Sequence, residues 1–171
     1  MRLSRLIYRS TATADVVSNA TLGALESSAA IANQRADITG LLILSGTRFM
    51  QALEGDPVEV TALFGRIMAD KRHHRVELMT FESIANRCFE DWNMRLVDLH
   101  DLPGDKRSYL RDKYPSRDGD ILIPDDLCHA HALLLDARQL CLTTPWNRGG
   151  GNDGGEIAAK PGGAAQGGSA A

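Results

Sequence analysis

From Leu3 to Arg9 the side chains alternate, with Leu6 and Tyr8 on one face and Arg5, Ile7 and Arg9 on the other, which predicts a first strand. The stretch from about Ala14 to Gln34 has few strand formers and many alanines. Leu22, Leu25, Ala29 and Ala32 recur there at helical spacing, which predicts a first helix. Leu41-Leu42-Ile43-Leu44 is continuously apolar, as in a central, covered strand, and Ser45-Gly46 allow a hairpin into a third strand, Phe49 to Glu54. Asp56-Pro57-Val58-Glu59 is a helix start, with a capping acid, a proline at the first helical position and an acid where a capping box needs one. Val60, Leu63, Phe64, Ile67 and Met68 then form an amphipathic stripe, and the basic cluster Lys71-Arg72-His73-His74-Arg75 falls where that helix should end. Val76 to about Ile84 and Arg95 to Leu99 predict two more strands.

The order β-α-β-β-α-β-β predicts an α+β fold, a ferredoxin-like sandwich with both helices on one face of a mixed five-stranded sheet. The other face then needs cover. Helical patterns around Ser108 to Lys113 and Asp125 to Leu142 can supply it as additional C-terminal helices. The expected organisation is a domain over residues 1–100, a helical extension over 101–146 and a tail over 147–171. That tail carries 9 of the chain's 16 glycines and too little apolar surface to offset the entropy of ordering, so it is expected to be disordered.

Composition narrows the functional classes. With 43% hydrophobic and 24% charged residues, the 171-residue chain has the mix of a cytosolic globular protein. A formal net charge of -3 lacks the positive excess that attracts phosphate backbones, so a nucleic-acid partner is not expected. No run approaches the roughly 20 apolar residues that span a bilayer, and the N-terminus has no signal-peptide core, so the expected location is the cytoplasm, away from membrane. Cys88, Cys128 and Cys141 lack CxxC spacing and are read as spectator thiols. The histidines His73, His74, His129 and His131 have no carboxylate or thiol spaced to complete a tetrahedral set, so no metal site is expected.

The chemistry concentrates on the third strand, where Phe49, Gln51 and Leu53 share a face and place a carboxamide among apolar neighbours. An unpartnered buried amide costs on the order of 1–3 kcal/mol, so Gln51 demands a partner, and Tyr8 on a neighbouring strand can supply one. From the residues alone the pair is either a satisfied structural contact or a reactive one. Asn33 is likewise open between a helix C-cap and a ligand-binding amide.

Six separated motifs in order resemble one family. Leu6 to Ser10 (LIYRS), Ile38-Thr39-Gly40 (ITG), Phe49 to Gly55 (FMQALEG), Asp70 to His73 (DKRH), Arg87-Cys88-Phe89 (RCF) and Trp92-Asn93-Met94 (WNM) are similar to the signature of BLUF domains, the blue-light sensors using FAD, over residues 2 to 100. The resemblance implies a flavin held non-covalently between the two helices, with Asn33 on its pyrimidine edge and Gln51 bonded to both the flavin and the Tyr8 hydroxyl. It implies that light draws an electron and a proton from Tyr8 to the flavin. The Gln51 amide then rearranges before the charges recombine, leaving the same flavin in an altered hydrogen-bond network.

Trp92 and Met94 would be the route outward, sharing a face if Trp92 belongs to the fifth strand. Arg66, Asp70, Arg72 and His73 fall where the family meets the ribityl and phosphate end. Ala29 and Ala32 stand where several relatives carry polar groups, so no extra hydrogen bond to the ring is expected from those two positions. The resemblance makes the chain a sensor rather than an enzyme. It would signal to a separate effector protein or through oligomer rearrangement, with Leu133, Leu134, Leu135, Leu140 and Leu142 offering an oligomer surface. An acylphosphatase-like hydrolase would recruit Arg9 and Asn33, but the glycine-rich phosphate loop it requires after the first strand is missing.

Overall fold

The structure, a computed structural model, describes residues 2–143. The expected tail, residues 147–171, lies outside them. The observed order is β1 (Leu3–Ala12), α1 (Asn19–Arg35), β2 (Thr39–Ser45), β3 (Arg48–Gly55), α2 (Pro57–Met68), β4 (His73–Ile84) and β5 (Arg95–Asp98). Then come α3 (Gly104–Lys113), a two-residue-per-strand ribbon of β6 (Ser116–Arg117) and β7 (Asp120–Ile121), and α4 (Leu127–Thr143). The main sheet runs β4-β1-β3-β2-β5, antiparallel throughout except for the parallel β2–β5 pair. It is the expected ferredoxin-like α+β arrangement with a mixed sheet.

α1 and α2 cover one face. Leu6, Tyr8 and Leu53 meet Val60 and Phe64 beneath α2, while Leu42, Leu44, Phe49 and Leu96 meet Leu22 beneath α1. The opposite face carries Ile7, Leu41, Ile43, Met50, Ala52 and Val97. Leu110 of α3 and Ala130, Leu133, Leu134 and Ala137 of α4 bury it, so Leu133 and Leu134, expected at an oligomer surface, belong to the core instead. Both faces are therefore desolvated, which explains why β2 and β3 are buried almost end to end.

Three local expectations are corrected. α1 starts at Asn19 rather than Ala14, because the Ser18 hydroxyl caps Thr21 N and Val16 turns into the core ahead of the helix. β4 starts at His73 rather than Val76, since α2 ends at Met68 and only a short turn separates them. The basic cluster therefore lies mostly on a strand, and it is His73 that meets the end of the helix, at the Ile67 carbonyl. Met68, expected on the apolar stripe, is 57% exposed. The start of α2 is as the residues predict, with Asp56 Oδ1 accepting from Val58 N at 2.9 Å and Pro57 following.

Candidate functional site

Register fixes the centre of the site. β1 and β3 pair so that Tyr8 stands directly opposite Gln51, and Leu42 of β2 flanks Gln51 on its other side. On these central strands a one-residue slip would turn both polar side chains to the opposite face, so burial of the sheet specifies the juxtaposition. Tyr8 and Gln51 are each 4% exposed. The Tyr8 hydroxyl donates to Gln51 Oε1 at 2.6 Å, and Gln51 Nε2 donates to Met94 Sδ at 3.2 Å. A thioether is a weak acceptor, so the amide is bound firmly at one end and loosely at the other. Burial, helped by the nearby Asp70 carboxylate, pushes the Tyr8 pKa well above its ordinary value. The phenol therefore keeps its proton across the usual pH range. Phe64 tilts against its ring at 5.5 Å between centroids and holds it in place.

A cavity of about 260 Å³ opens above this pair, between α1 and α2. Leu25, Ser28, Ala29 and Ala32 form one wall, Leu63 and Ile67 the other, with Leu42 and Phe49 on the sheet and Tyr8, Gln51, Asn33 and Met94 at its floor. Ala29 and Ala32 leave the α1 wall apolar at their positions. Asn33 is helical, so the C-cap alternative fails. The helix continues to Arg35, its cap is Ala36, and the left-handed residue after it is Asp37, with φ 49°. The Asn33 side chain is 3% exposed, and its Nδ2 donates to the Asn93 carbonyl at 2.8 Å. An amide has four hydrogen-bonding positions, so this contact leaves others for a ligand.

Arg66, Asp70, Arg72 and His73 all reach the cavity at the end of α2. Asp70 and Arg72 form a fork, with Arg72 Nε at 3.0 and 2.9 Å from the two carboxylate oxygens. Arg72 holds the Asp70 carboxyl below its usual pKa, and Asp70 raises that of Arg72 in turn. His73 is committed to structure as well as lining. Its Nε2 lies 2.9 Å from the Ile67 carbonyl, which can only accept, so Nε2 carries hydrogen, and its Nδ1 meets Ser10 Oγ at 2.8 Å. The ring thereby ties the end of α2 to β1.

Met94 and Trp92 part company. Both precede β5, and while Met94 is buried at the cavity, Trp92 packs against the cluster on the opposite face. The expected shared face required both residues to be on the strand, and the chain instead turns between them. Arg9, which a phosphate-binding hydrolase would need, also points away from the cavity. It is held on the far side by Glu77 at 2.9 Å through two bonds, and by Asp125. Sequence reasoning missed Ser10, Glu54 and Asn93, whose roles arise from long-range pairing. The one available signal was Glu54, an acid inside a strand otherwise fit for burial.

The family profile described as "Sensors of blue-light using FAD", BLUF, matches residues 3–95, more than half the chain. The chain belongs to the BLUF family. BLUF domains use FAD, and the lining here suits it: an apolar slot for a flat ring, amides at its floor, and arginines at the end where phosphates need charge.

Among curated BLUF relatives, the chain is 33% identical over 100 residues to the blue light- and temperature-regulated antirepressor BluF of Escherichia coli. It is 30% identical over 95 residues to the photoactivated adenylate cyclase subunit alpha of Euglena gracilis. These stretches are 57% and 55% of this chain but only 24% and 9% of those proteins. Among solved structures, the dark state of BlrB, a BLUF protein, aligns at 32% identity and TM-score 0.54, covering 63% of this chain and 90% of BlrB. Klebsiella pneumoniae BlrP1, as its manganese and cyclic-diGMP complex, aligns at 30% identity and TM-score 0.59, covering 78% of this chain and 32% of that one. The BlsA ground state, at 23% identity and TM-score 0.63, shares the fold.

Proposed function

We propose that this BLUF chain senses blue light through Tyr8 and Gln51 and passes the signal to a separate protein rather than performing catalysis itself. The observation carrying this reading is the buried chain from the Tyr8 hydroxyl to Gln51 Oε1 and from Gln51 Nε2 to Met94 Sδ at the floor of the cofactor cavity. Asn33 and Gln51 would hold the ring, with Tyr8 and Met94 beside it, and Arg66, Asp70, Arg72 and His73 would meet the ribityl and phosphate end. Bound FAD would supply the absorption of blue light and act as the transient acceptor of one electron and one proton, both returned once the Gln51 amide has rearranged.

Tyr8 is the donor of both, because its elevated pKa keeps the phenol protonated until then and its proton already points at Gln51. Loss of that proton removes the bond that fixes Oε1, and the carboxamide can exchange its donor and acceptor ends on one pivot at small steric cost. The Met94 sulfur then loses its N–H donor. Trp92, two residues away, carries the change to the side of the sheet where α4 packs. The recipient would be a partner protein or a second copy of this chain, in the cytoplasm; among the described residues no helix is long and apolar enough to cross a membrane.

The test is absorption of the purified chain before and after blue illumination. The wild type should show a red shift that reverses in the dark. Gln51→Leu should retain FAD, still held by Asn33 and by the residues at the phosphate end, and lose the reversible shift entirely. A normal photocycle in Gln51→Leu would refute the assignment.

A further inference from the structure

The backbone of the segment that carries Met94 is tied to α1 at Asn93 and at Leu96. Asn33 Nδ2 donates to the Asn93 carbonyl at 2.8 Å, and Glu26 Oε1 accepts from the Leu96 backbone N–H at 2.9 Å, with Arg95 Nη1 a further 3.8 Å from the same oxygen. Glu26 and Asn33 are seven residues apart, so on an α-helix they share a face and are separated by about 10.5 Å along its axis. Asn93 and Leu96 are three residues apart, which in extended chain spans about 10 Å. The two spacings match, so helix and segment lie antiparallel with both bonds made at once. Between the anchors stands Met94, whose sulfur receives Gln51 Nε2.

We infer that Glu26 is a positioning residue of the light response: by holding Leu96 to α1 it resists the displacement of Met94 that follows rearrangement of the Gln51 amide. The inference rests on the photocycle proposed above. Glu26 does not line the cavity, so it acts through the backbone rather than on the cofactor. When the Gln51 amide rearranges, Met94 must readjust against a segment pinned at both ends, and the pins favour return. Cutting the Glu26 pin leaves the dark contact intact but lets the segment follow the rearranged amide, which stabilises the lit state and slows recovery.

The experiment is the dark-recovery rate of the full chain after a blue pulse, in the wild type, Glu26→Ala, Glu26→Asp and Glu26→Gln. Glu26→Ala and Glu26→Asp, the latter charged but too short to reach Leu96 N, should recover about three- to tenfold more slowly. Glu26→Gln keeps an acceptor oxygen at the same reach and should recover within about twofold of the wild type. FAD content and the dark spectrum should be unchanged in all three, and amide exchange at Leu96 should accelerate only in the Ala and Asp variants. Wild-type recovery in Glu26→Ala, or equal slowing in Glu26→Gln and Glu26→Ala, overturns the inference. Absence of any reversible shift in the wild type would instead overturn the photocycle on which it depends.

Discussion

Replacing Glu54 strips three hydrogen bonds from the face of the sheet opposite the cofactor cavity. Glu54 is fully buried; Oε1 takes Arg5 Nε at 2.8 Å, and Oε2 takes the backbone N–H groups of Cys88 and Phe89 at 2.8 and 2.9 Å. Removing one member of a buried ion pair generally costs about 3–5 kcal/mol, because the other charge is left in a poor dielectric. Replacing both members with apolar groups is often neutral. That rule should fail here. A double variant, Arg5→Met with Glu54→Leu, removes both charges but abandons two N–H groups, one on the fully buried Phe89. At about 1–3 kcal/mol for each orphaned donor, less what local relaxation recovers, the expected loss is about 2–4 kcal/mol. Urea unfolding followed by far-ultraviolet circular dichroism measures it. With a slope of about 1–3 kcal/mol per molar, the midpoint should fall by about 1–2 M. A double variant unfolding at the wild-type midpoint would show that the carboxylate is dispensable to the 88–89 backbone and refute the reasoning.

Two further outcomes follow from close packing elsewhere in the fold. A Cβ on Gly40 would stand 2.4 Å from the Ala52 carbonyl oxygen across the β2–β3 ladder, so Gly40→Ala must part the strands. It should lower stability by about 1–3 kcal/mol in thermal melts, and an unchanged melting temperature would contradict the close approach. His131 of α4 has a buried, unpartnered Nε2, and burial together with the Arg5 guanidinium lowers its pKa against the opposing pull of Glu82 and Glu54. The unfolded chain therefore binds the extra proton first, and this residue's contribution to stability is lost as pH falls below about 6.5. His131→Gln should lose less stability than the wild type between pH 7.5 and 5.5, and parallel pH profiles would count against it.

The residues disclosed the elements whose rules are local. The Asp56-Pro57 start of α2 needs no tertiary information, and neither does the alternation that sets Tyr8, Phe49, Gln51 and Leu53 toward one face. The beginning of α1 was misplaced because alanine-rich sequence is permissive, and the Ser18 cap and the burial of Val16 decide where the helix starts. β4 was shortened because its first residues are basic, yet an edge strand paired on one side only can expose them. At the site, the Tyr8–Gln51 pairing was legible once both strands were placed. The separation of Met94 from Trp92 was not, since it depends on where β5 begins. Nor were the bonds of Glu54 to residues 88 and 89, of Asn33 to residue 93 and of Glu26 to residue 96, each of which joins positions more than thirty apart in sequence.

Those bonds share a destination. Residues 88–94 have no strand ladder of their own and are held instead by side chains and single backbone contacts: Glu54 to Cys88 and Phe89, Gly40 N to the Trp92 carbonyl, Asn33 to Asn93, and Gln51 to Met94. Asp91 in the same stretch pairs with Arg138 of α4 at 2.7 Å. β1 and β3, which carry Tyr8 and Gln51, have hydrogen-bonded neighbours on both sides, so moving either strand would break two ladders at once. Shifting the intervening segment breaks only a few bonds, and elements stabilised in this way are where local rearrangement is least costly. A change at Gln51 of the kind proposed would therefore be accommodated most readily along the four residues from Met94 back to Asp91. That short path passes Trp92 on the opposite face and ends at the ion pair to the helix that covers it.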